Sequence, residues 1–449
     1  MSDRRFLAVL LTLGVLTACT GGSGARDDSR GPEEPVITAA VDLEPSVIEA
    51  DPLWTWDNQS EPVGITDISL HGDLAVVVGD EGADGRNEFS VVEAGTGRPL
   101  WSMSDLDPIE ALDASFVGSR GMSVTGEPGE ELVVVGYYSP DCVSEPCPPP
   151  GRQSPETGVA ALDLRTGALR WTYPAIASVD EQADPDRSGE VTLRIQGDSR
   201  GTPLVTIGPV NGLVGEQPSD PELFSVVALS SGSGEELWSV PEVSAGRVFG
   251  DVVVAFAPPP GPSGTLTGGT GGPVVIDLAT GEERWSLAEQ FPRAEILGAG
   301  GGQLTFLTRA SHSSLTHHVV DLADGTVLHE LDTPLGMAAV DPSTGMLGYR
   351  TQENLDQLTT VLPDEPGPAL TGTKSPHRSG PPLLAHDGYL FLHDTAEDET
   401  TVVDRSGAVH QEGLDGWPVS VTEHYLVLRQ GSGDDATIAV HARTTPAEQ

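Results

Sequence analysis

At 449 residues, with 23 Lys and Arg against 68 Asp and Glu and a formal net charge of −45, the chain carries a surface that repels phosphate backbones and anionic headgroups. Nucleic acid and direct headgroup binding are thereby excluded as functions. Aromatic residues at 5% and hydrophobic residues at 37% are sparse for one thick core, yet they suffice for a fold made of many thin sheets.

In chain order, Arg4 and Arg5 precede an apolar run from Phe6 to Leu16 that is too short to span a bilayer as a permanent helix. With Leu16-Thr-Ala-Cys19 behind it, the stretch reads as an export signal, and its last four residues resemble a bacterial lipobox. That resemblance implies cleavage before Cys19 and lipid on its thiol and amine, so residues 1–18 are a signal and 19–48 a lipidated tether of Gly, Ser, Asp, Arg, Pro and Glu. Residues 49–449 form the folded part.

Within it one pattern returns. In Ala161-Leu-Asp-Leu-Arg-Thr-Gly-Ala-Leu-Arg-Trp171, alternating residues Val159, Ala161 and Asp163 point one way and Ala160, Leu162 and Leu164 the other, which is a strand. Thr-Gly then supplies a residue that takes positive φ at low cost, so a tight hairpin follows, and the second strand delivers a Trp four residues past the Gly. Close copies end at Trp101, Trp238 and Trp285; worn copies lie at Asp321-Leu-Ala-Asp-Gly, where His329 takes the Trp position, and at Asp404-Arg-Ser-Gly. A small sheet cannot bury both faces alone, so an indole at a fixed place in each copy suits a wedge against the neighbouring copy. The Asp of the unit is read as structural, bonding turn amides.

Measured from the Asp-equivalent positions Glu93, Asp163, Ser230, Asp277, Asp321 and Asp404, the intervals are 70, 67, 47, 44 and 83. The last is close to twice the short ones, which implies an unmarked copy with strands near 336–340, 345–352 and 358–362. Asp341-Pro-Ser-Thr-Gly matches the unit but follows Asp321 too soon to close another, and reads as the first hairpin of that copy. Strand-like runs at 418–422, 424–429 and 436–442 make an eighth copy that lacks its last strand. Pro52-Leu-Trp-Thr-Trp56, before the first copy, supplies it, with Trp54 or Trp56 as the missing wedge, and removes the open edge of the ring. Tyr137 to Thr157, Asp180 to Glu190, Pro209 to Pro221 and Pro258 to Gly272 are insertions, and such loops on one rim carry specificity.

Repeats of this length with four strands each indicate an all-β propeller. The unit ending at Trp171 resembles the repeat of quinoprotein-like (PQQ-like) propellers, and the resemblance implies eight blades, with seven as the alternative. That family contains quinone-dependent alcohol dehydrogenases and the lipoprotein scaffold of outer-membrane β-barrel assembly. For a dehydrogenase the resemblance implies a calcium ion, a catalytic Asp and a vicinal Cys-Cys disulfide. This sequence has no adjacent cysteines, and no Asp matches a catalytic motif.

Other chemistry is thinly marked. Cys142 and Cys147 in an exported chain suit a disulfide pinching a loop better than zinc, which wants four soft ligands. Asp184, Asp186 and Ser188 fit the opening of a calcium loop, but Ile195 stands where its bidentate Glu belongs. His312, His317 and His318 lie beside Ser311, Ser313 and Ser314 without a nucleophile elbow, and His386, Asp387, His393 and Asp394 read as turn and strand-end residues. Gly268-Gly-Thr-Gly-Gly272 precedes a strand, whereas a dinucleotide loop follows one. The expectation is a monomeric, non-catalytic propeller without cofactor on the extracytoplasmic membrane face, binding envelope proteins with basic or neutral docking faces. A quinone-dependent oxidoreductase and a cell-wall ligand sensor are the alternatives.

Overall fold

The computed structural model describes residues 47–57, 65–79, 89–103, 115–126, 129–139, 156–174, 191–196, 201–209, 224–257, 271–311, 314–334, 338–351, 354–361, 373–374, 382–394, 397–404, 407–431 and 436–444. The described residues fall in the compact unit Glu44–Gln449. Two short strands open it, β1 (Val47–Ile48) and β2 (Trp54–Asp57).

The first sheet is β3 (Ile65–His71), β4 (Leu74–Gly79), β5 (Phe89–Glu93) and β6 (Pro99–Ser102); the second is β7 (Ser115–Thr125), β8 (Leu132–Ser139), β9 (Glu156–Asp163) and β10 (Leu169–Pro174). The third is β11 (Val191–Gln196), β12 (Leu204–Pro209), β13 (Ser225–Leu229) and β14 (Glu236–Pro241), and the fourth β15 (Ser244–Phe249), β16 (Val252–Ala257), β17 (Gly272–Asp277) and β18 (Glu283–Ser286). The fifth is β19 (Ala294–Gly300), β20 (Gln303–Ser311), β21 (Ser314–Asp321) and β22 (Val327–Pro334), and the sixth β23 (Ala338–Val340), β24 (Leu347–Thr351), β25 (Asn354–Val361) and β26 (Thr373–Lys374). The seventh is β27 (Pro382–His386), β28 (Tyr389–Asp394), β29 (Glu399–Asp404) and β30 (Val409–Asp415). The last holds β31 (Trp417–Val421), β32 (Tyr425–Gln430) and β33 (Thr437–Thr444), with both β1 and β2 paired to β33. Among the described residues seven sheets therefore have four strands in sequence order from the inside outwards and one has five, with the first two strands of the unit outermost, and all pairs are antiparallel.

Alternation along the central strands is what stacks the sheets into a propeller. In β16, Val252, Val254 and Phe256 face the fifth sheet while Val253 and Ala255 face the third. In β9, Ala160 and Leu162 join the core shared with the first sheet, and Val159 and Ala161 the core shared with the third. Each central strand is buried on both faces, so its sequence reads as an apolar run, and each cluster lies chiefly between two consecutive sheets. The cluster of Ile68, Leu70, Val427, Ile438 and Val440 joins the last sheet to the first, and β3 packs beside β31, so the ring closes.

Closure uses the N-terminal strand as the spacing of copies had implied. Trp54 pairs with Val440 and Asp57 with Thr437, while Val47 pairs with Thr444 at the other end of β33. Pairing thus begins at Val47, just inside the stretch read as tether. Asp341-Pro-Ser-Thr-Gly345 turns between β23 and β24, the first hairpin of its sheet. The third strand of that sheet begins at Asn354, earlier than residue 358, and Asn354 is already in register with Thr351.

The four-strand order divides the connections. Turns between first and second strands and between third and fourth strands lie on one rim. Links between second and third strands, and from each outer strand to the next sheet, leave on the other. Ser139 with Glu156, Pro174 with Val191, Pro209 with Ser225 and Ala257 with Gly272 are strand ends on this second rim, so the inserted segments all depart from one side.

The turn glycines do two things at once. Gly234 has φ +70°, and a Cβ there would stand 2.5 Å from Cε3 of Trp171 in the previous sheet. Gly234→Ala should lower stability by about 2–4 kcal/mol through left-handed strain and overpacking, whereas Gly232→Ala, with open space around it, should be near neutral. Denaturant midpoints of the two variants measure the difference.

Candidate functional site

Three places concentrate polar chemistry or exposed aromatic surface: the sheet junctions, a set of buried histidines, and the rim from which the insertions leave. At the junctions each mark Trp crosses to the next sheet. Trp101 Nε1–H donates to the Leu164 carbonyl at 2.8 Å, Trp171 to Ser231 at 2.6 Å, Trp238 to Leu278 at 2.8 Å and Trp285 to Leu322 at 3.0 Å. Trp54 donates to Ala94 at 2.6 Å, so it takes the wedge position of the closing sheet, and Trp56 packs against the same cluster without that role. Every acceptor is the residue after the Asp-equivalent position of the receiving mark. The indoles lie over the glycines of those turns: Trp54 over Gly97, Trp171 over Gly234, Trp238 over Gly281 and Trp285 over Gly325.

The Asp of the mark holds its own turn. Asp163 Oδ1 accepts the Thr166 amide at 2.9 Å and hydroxyl at 2.7 Å, and Asp277 Oδ1 accepts the amides of Ala279 and Thr280, both at 3.0 Å. Burial raises the Asp163 carboxyl, but the bonds from Thr166 and Arg170 outweigh it and leave it below the usual range. Arginines on this rim are tied down as well: Arg165 to Asp73 at 2.8 Å, Arg284 to Asp251 at 2.7 Å and to Asp277 at 2.6 Å, and Arg98 to Glu93.

Where no Trp is present the junction changes character. His329 pairs with Val319, the register that mark tryptophans hold elsewhere, but the next sheet is docked through Gly300 and Gly301, whose Cβ positions fall 2.3 Å from the carbonyl oxygens of Asp341 and Thr344. Asp341 is fully buried and accepts the Gly388 amide from the seventh sheet, as well as the hydroxyls of Ser343 and Thr344 at 2.8 Å. Burial raises its carboxyl, and these bonds hold it down against that. Arg443, buried at the end of β33, donates to the Thr422 carbonyl and lies 3.8 Å from Asp387. Gln411 grips Ile48 with both ends of its side-chain amide, Oε1 accepting from the Ile48 amide at 3.1 Å and Nε2 donating to the Ile48 carbonyl at 2.8 Å.

The histidines are packing residues. His318 is stacked on Phe306 with centroids 5.0 Å apart and shares a 2.8 Å hydrogen bond with Thr308. His317 is fully buried beside Tyr349, and desolvation, with help from His318, pushes it down to about 4. His386 ends β27 with Nε2 3.2 Å from Asp387, and His393 and Asp394 end β28. Ser311 and Ser314 are register partners, and His317 lies on the strand that begins at Ser314, in register with Leu307. Among the described residues no group of three or more His, Cys, Asp or Glu could hold a metal ion. Cys19, Cys142, Cys147, Asp184, Asp186, Ser188 and His312 lie outside the described residues.

One residue escapes the reading by repeats. Trp417, 42% exposed at the start of β31, is the tryptophan that belongs neither to a mark nor to the closing strand. The signal that could have found it is arithmetic: of seven tryptophans, four close marks and two lie in Pro52–Trp56.

Two consequences are measurable. Trp54→Ala should cost about 3–5 kcal/mol and Trp56→Ala clearly less, read from denaturant unfolding, because the first removes the closing wedge. Since His317 stays neutral in the fold down to about pH 4 while the unfolded chain protonates near the ordinary histidine value of 6.5, its contribution to stability is intact above pH 6.5 and falls as pH drops towards 4. His317→Phe should flatten the stability profile in that window.

With the geometry in place, residues 224–358 match the protein-family model described as outer membrane protein assembly factor BamB. No curated protein matches the chain. Among solved structures, Sqt1 of Saccharomyces cerevisiae is 11% identical with a TM-score of 0.50, over 87% of this chain and 98% of that one. BamB from Moraxella catarrhalis is 13% identical with a TM-score of 0.46, over 88% and 97%, and the quinohemoprotein alcohol dehydrogenase ADHIIG from Pseudomonas putida HK5 is 12% identical with a TM-score of 0.46, over 87% and 76%. At such identities the likeness is one of fold. The matched span holds the marks at Ser230, Asp277 and Asp321, and the chain is an all-β propeller of PQQ-like repeats, similar over 224–358 to the outer membrane assembly factor family.

Proposed function

We propose that the chain is an exported lipoprotein, anchored through lipid on Cys19, whose eight-bladed propeller acts by binding other envelope proteins. The blade count takes the seven four-stranded sheets and the five-stranded closing sheet each as one blade. Cys142 and Cys147 form a disulfide in the second blade's insertion, and the protein works as a monomer on the extracytoplasmic face.

The observation that carries this reading is the asymmetry of the two rims. On the turn rim, Arg98, Arg165, Arg170 and Arg284 are each paired with a carboxylate of the marks or of the adjoining first turns. The segments 140–155, 175–190, 210–223 and 258–270, which leave from the opposite rim, contain only Arg152 and Arg187 as cations among many carboxylates. A surface of that charge selects partners with basic or neutral docking faces and speeds their encounter.

The quinone-dependent alternative needs a calcium ion and a vicinal disulfide. Against it stands the sequence, in which the two cysteines beyond residue 19 are separated by four residues and so do not form a vicinal pair.

Cross-linking in intact envelopes followed by capture of the lipidated protein should recover the same partner repeatedly; recovery of none would overturn the scaffold reading. Adding quinone cofactor with calcium should leave the melting temperature unchanged, and a clear upward shift would revive the oxidoreductase.

A further inference from the structure

Trp417 lies on the rim from which the insertions leave, where the link from β30 enters the inner strand β31. Its backbone is pinned. Gly416 has φ +108°, and a Cβ there would stand 2.6 Å from the Arg429 carbonyl. The Gly416 amide donates to the Asp398 carbonyl at 2.6 Å, and its carbonyl accepts the buried Thr400 hydroxyl at 2.6 Å. Beneath the indole sits His393, 3% exposed, with ring centroids 5.0 Å apart and planes at 48°. His393 Nε2 lies 3.5 Å from Asp398, and its buried Nδ1 has no hydrogen-bond partner among the described residues. The indole is therefore supported on one side and open to solvent on the other.

Two exposed carboxylates are its neighbours, Asp398 through His393 and Asp415 at the end of the preceding strand. Asp398, 54% exposed, sits in the left-handed region at φ 57° and accepts the Gly431 amide at 3.4 Å; Asp415 is exposed, pairs in register with Glu399, and has its carbonyl held by Gln430 at 3.2 Å. The cation closest in the sheet register is Arg429, opposite Trp417. A rigid aromatic face bordered by exposed carboxylates matches a planar cation, which can stack on the ring while its edge donates to the acids.

We propose that Trp417, with Asp398 and Asp415, is a docking site for an arginine side chain of a basic protein segment. The site rests on the protein-binding reading above and gives it an anchor. Arginine fits better than lysine because a guanidinium plane can stack on an indole while its fork still donates to carboxylates. A tryptophan already held in place loses little freedom on binding, which is how such residues come to dominate interfaces.

The test titrates the full-length protein with a short arginine-rich peptide and with its citrulline-substituted copy, by calorimetry and by the indole NMR signal assigned through Trp417→Phe. The arginine peptide should bind and shift that signal, the citrulline copy should not, and added salt should weaken binding. Trp417→Ala should lower affinity by about 5- to 30-fold. Trp417→Leu, which keeps apolar bulk over His393, should lose a similar amount, so a folding defect in the first variant leaves the question decidable; Asp398→Asn with Asp415→Asn should weaken binding and reduce the salt dependence. Equal affinity in the Trp417 variants overturns the proposal, as does a neutral cell-wall glycan fragment binding at Trp417 in place of the peptide. Failure to capture any envelope partner would sink the scaffold reading, whereas loss of this site alone would show as capture that Trp417→Ala leaves unchanged.

Discussion

The ring depends on one repeated contact, an indole from one sheet laid over the turn glycine of the next, with its N–H bonded to the following turn's carbonyl. The contact joins local and global constraints. Glycine is needed because the turn takes φ near +70° and because a Cβ there would fall 2.5–2.9 Å from the indole arriving over Gly97, Gly234, Gly281 or Gly325. The acceptor peptide is fixed in turn by its own sheet: the amides of Ala94, Leu164, Leu278 and Leu322 donate to Asp73, Glu131, Asp251 and Gly302 in the adjoining first turns. Hence the Trp of one repeat and the Thr-Gly of the next form a single device, and neither is intelligible inside its own repeat.

That coupling explains where the pattern fades. Receiving turns with glycine occur in the first five sheets, and the wedges come from the closing sheet and the first four. The fifth sheet can carry His329 in the wedge register because the sixth presents no such turn among the described residues; its mark-like turn, at Asp341, lies one hairpin earlier. There the docking surface is glycine backbone against backbone, followed by a buried carboxylate bridging to Gly388 and then by Gln411 and Arg443. Buried polar groups of this kind must be fully bonded to be tolerated, so these junctions are more specific in geometry and poorer in apolar area: among the described residues one of their clusters has Val319, Leu347 and Tyr349 as its buried members.

The fold was legible because period-two alternation and turn chemistry are local, and the copies repeat them at readable intervals. Even the closing strand could be placed, since a last copy without a wedge and a Trp pair without strands of its own demand each other. The choice between Trp54 and Trp56 could not be read, because both sit on the same short strand and only the register to Val440 decides which indole reaches Ala94. Asp341 was recognised as a first-hairpin residue, but its bridge to the seventh sheet was hidden, as the partner is a backbone amide with no side-chain signature. Trp417 was hidden for the opposite reason: it breaks no periodicity, and its supports, Thr400 bonded to the Gly416 carbonyl and His393 beneath the indole, come from other strands.

Closure by β1 and β2 has a mechanical consequence. Residues 47–57 touch three sheets at once: β33 along the strand, Gln411 of the seventh sheet through Ile48, and Ala94 of the first through Trp54. His441 adds a 3.0 Å contact to the Glu49 carbonyl, and Glu49 and Leu53 donate to Ala442 and Val440. A sheet edge left open would offer unpaired backbone groups to other chains, so the strand serves solubility as well as closure. Because it is paired laterally along β33, a pull along its length loads several hydrogen bonds together instead of peeling them singly. The stretch that begins the folded unit is thus also the one best placed to hold the ring shut.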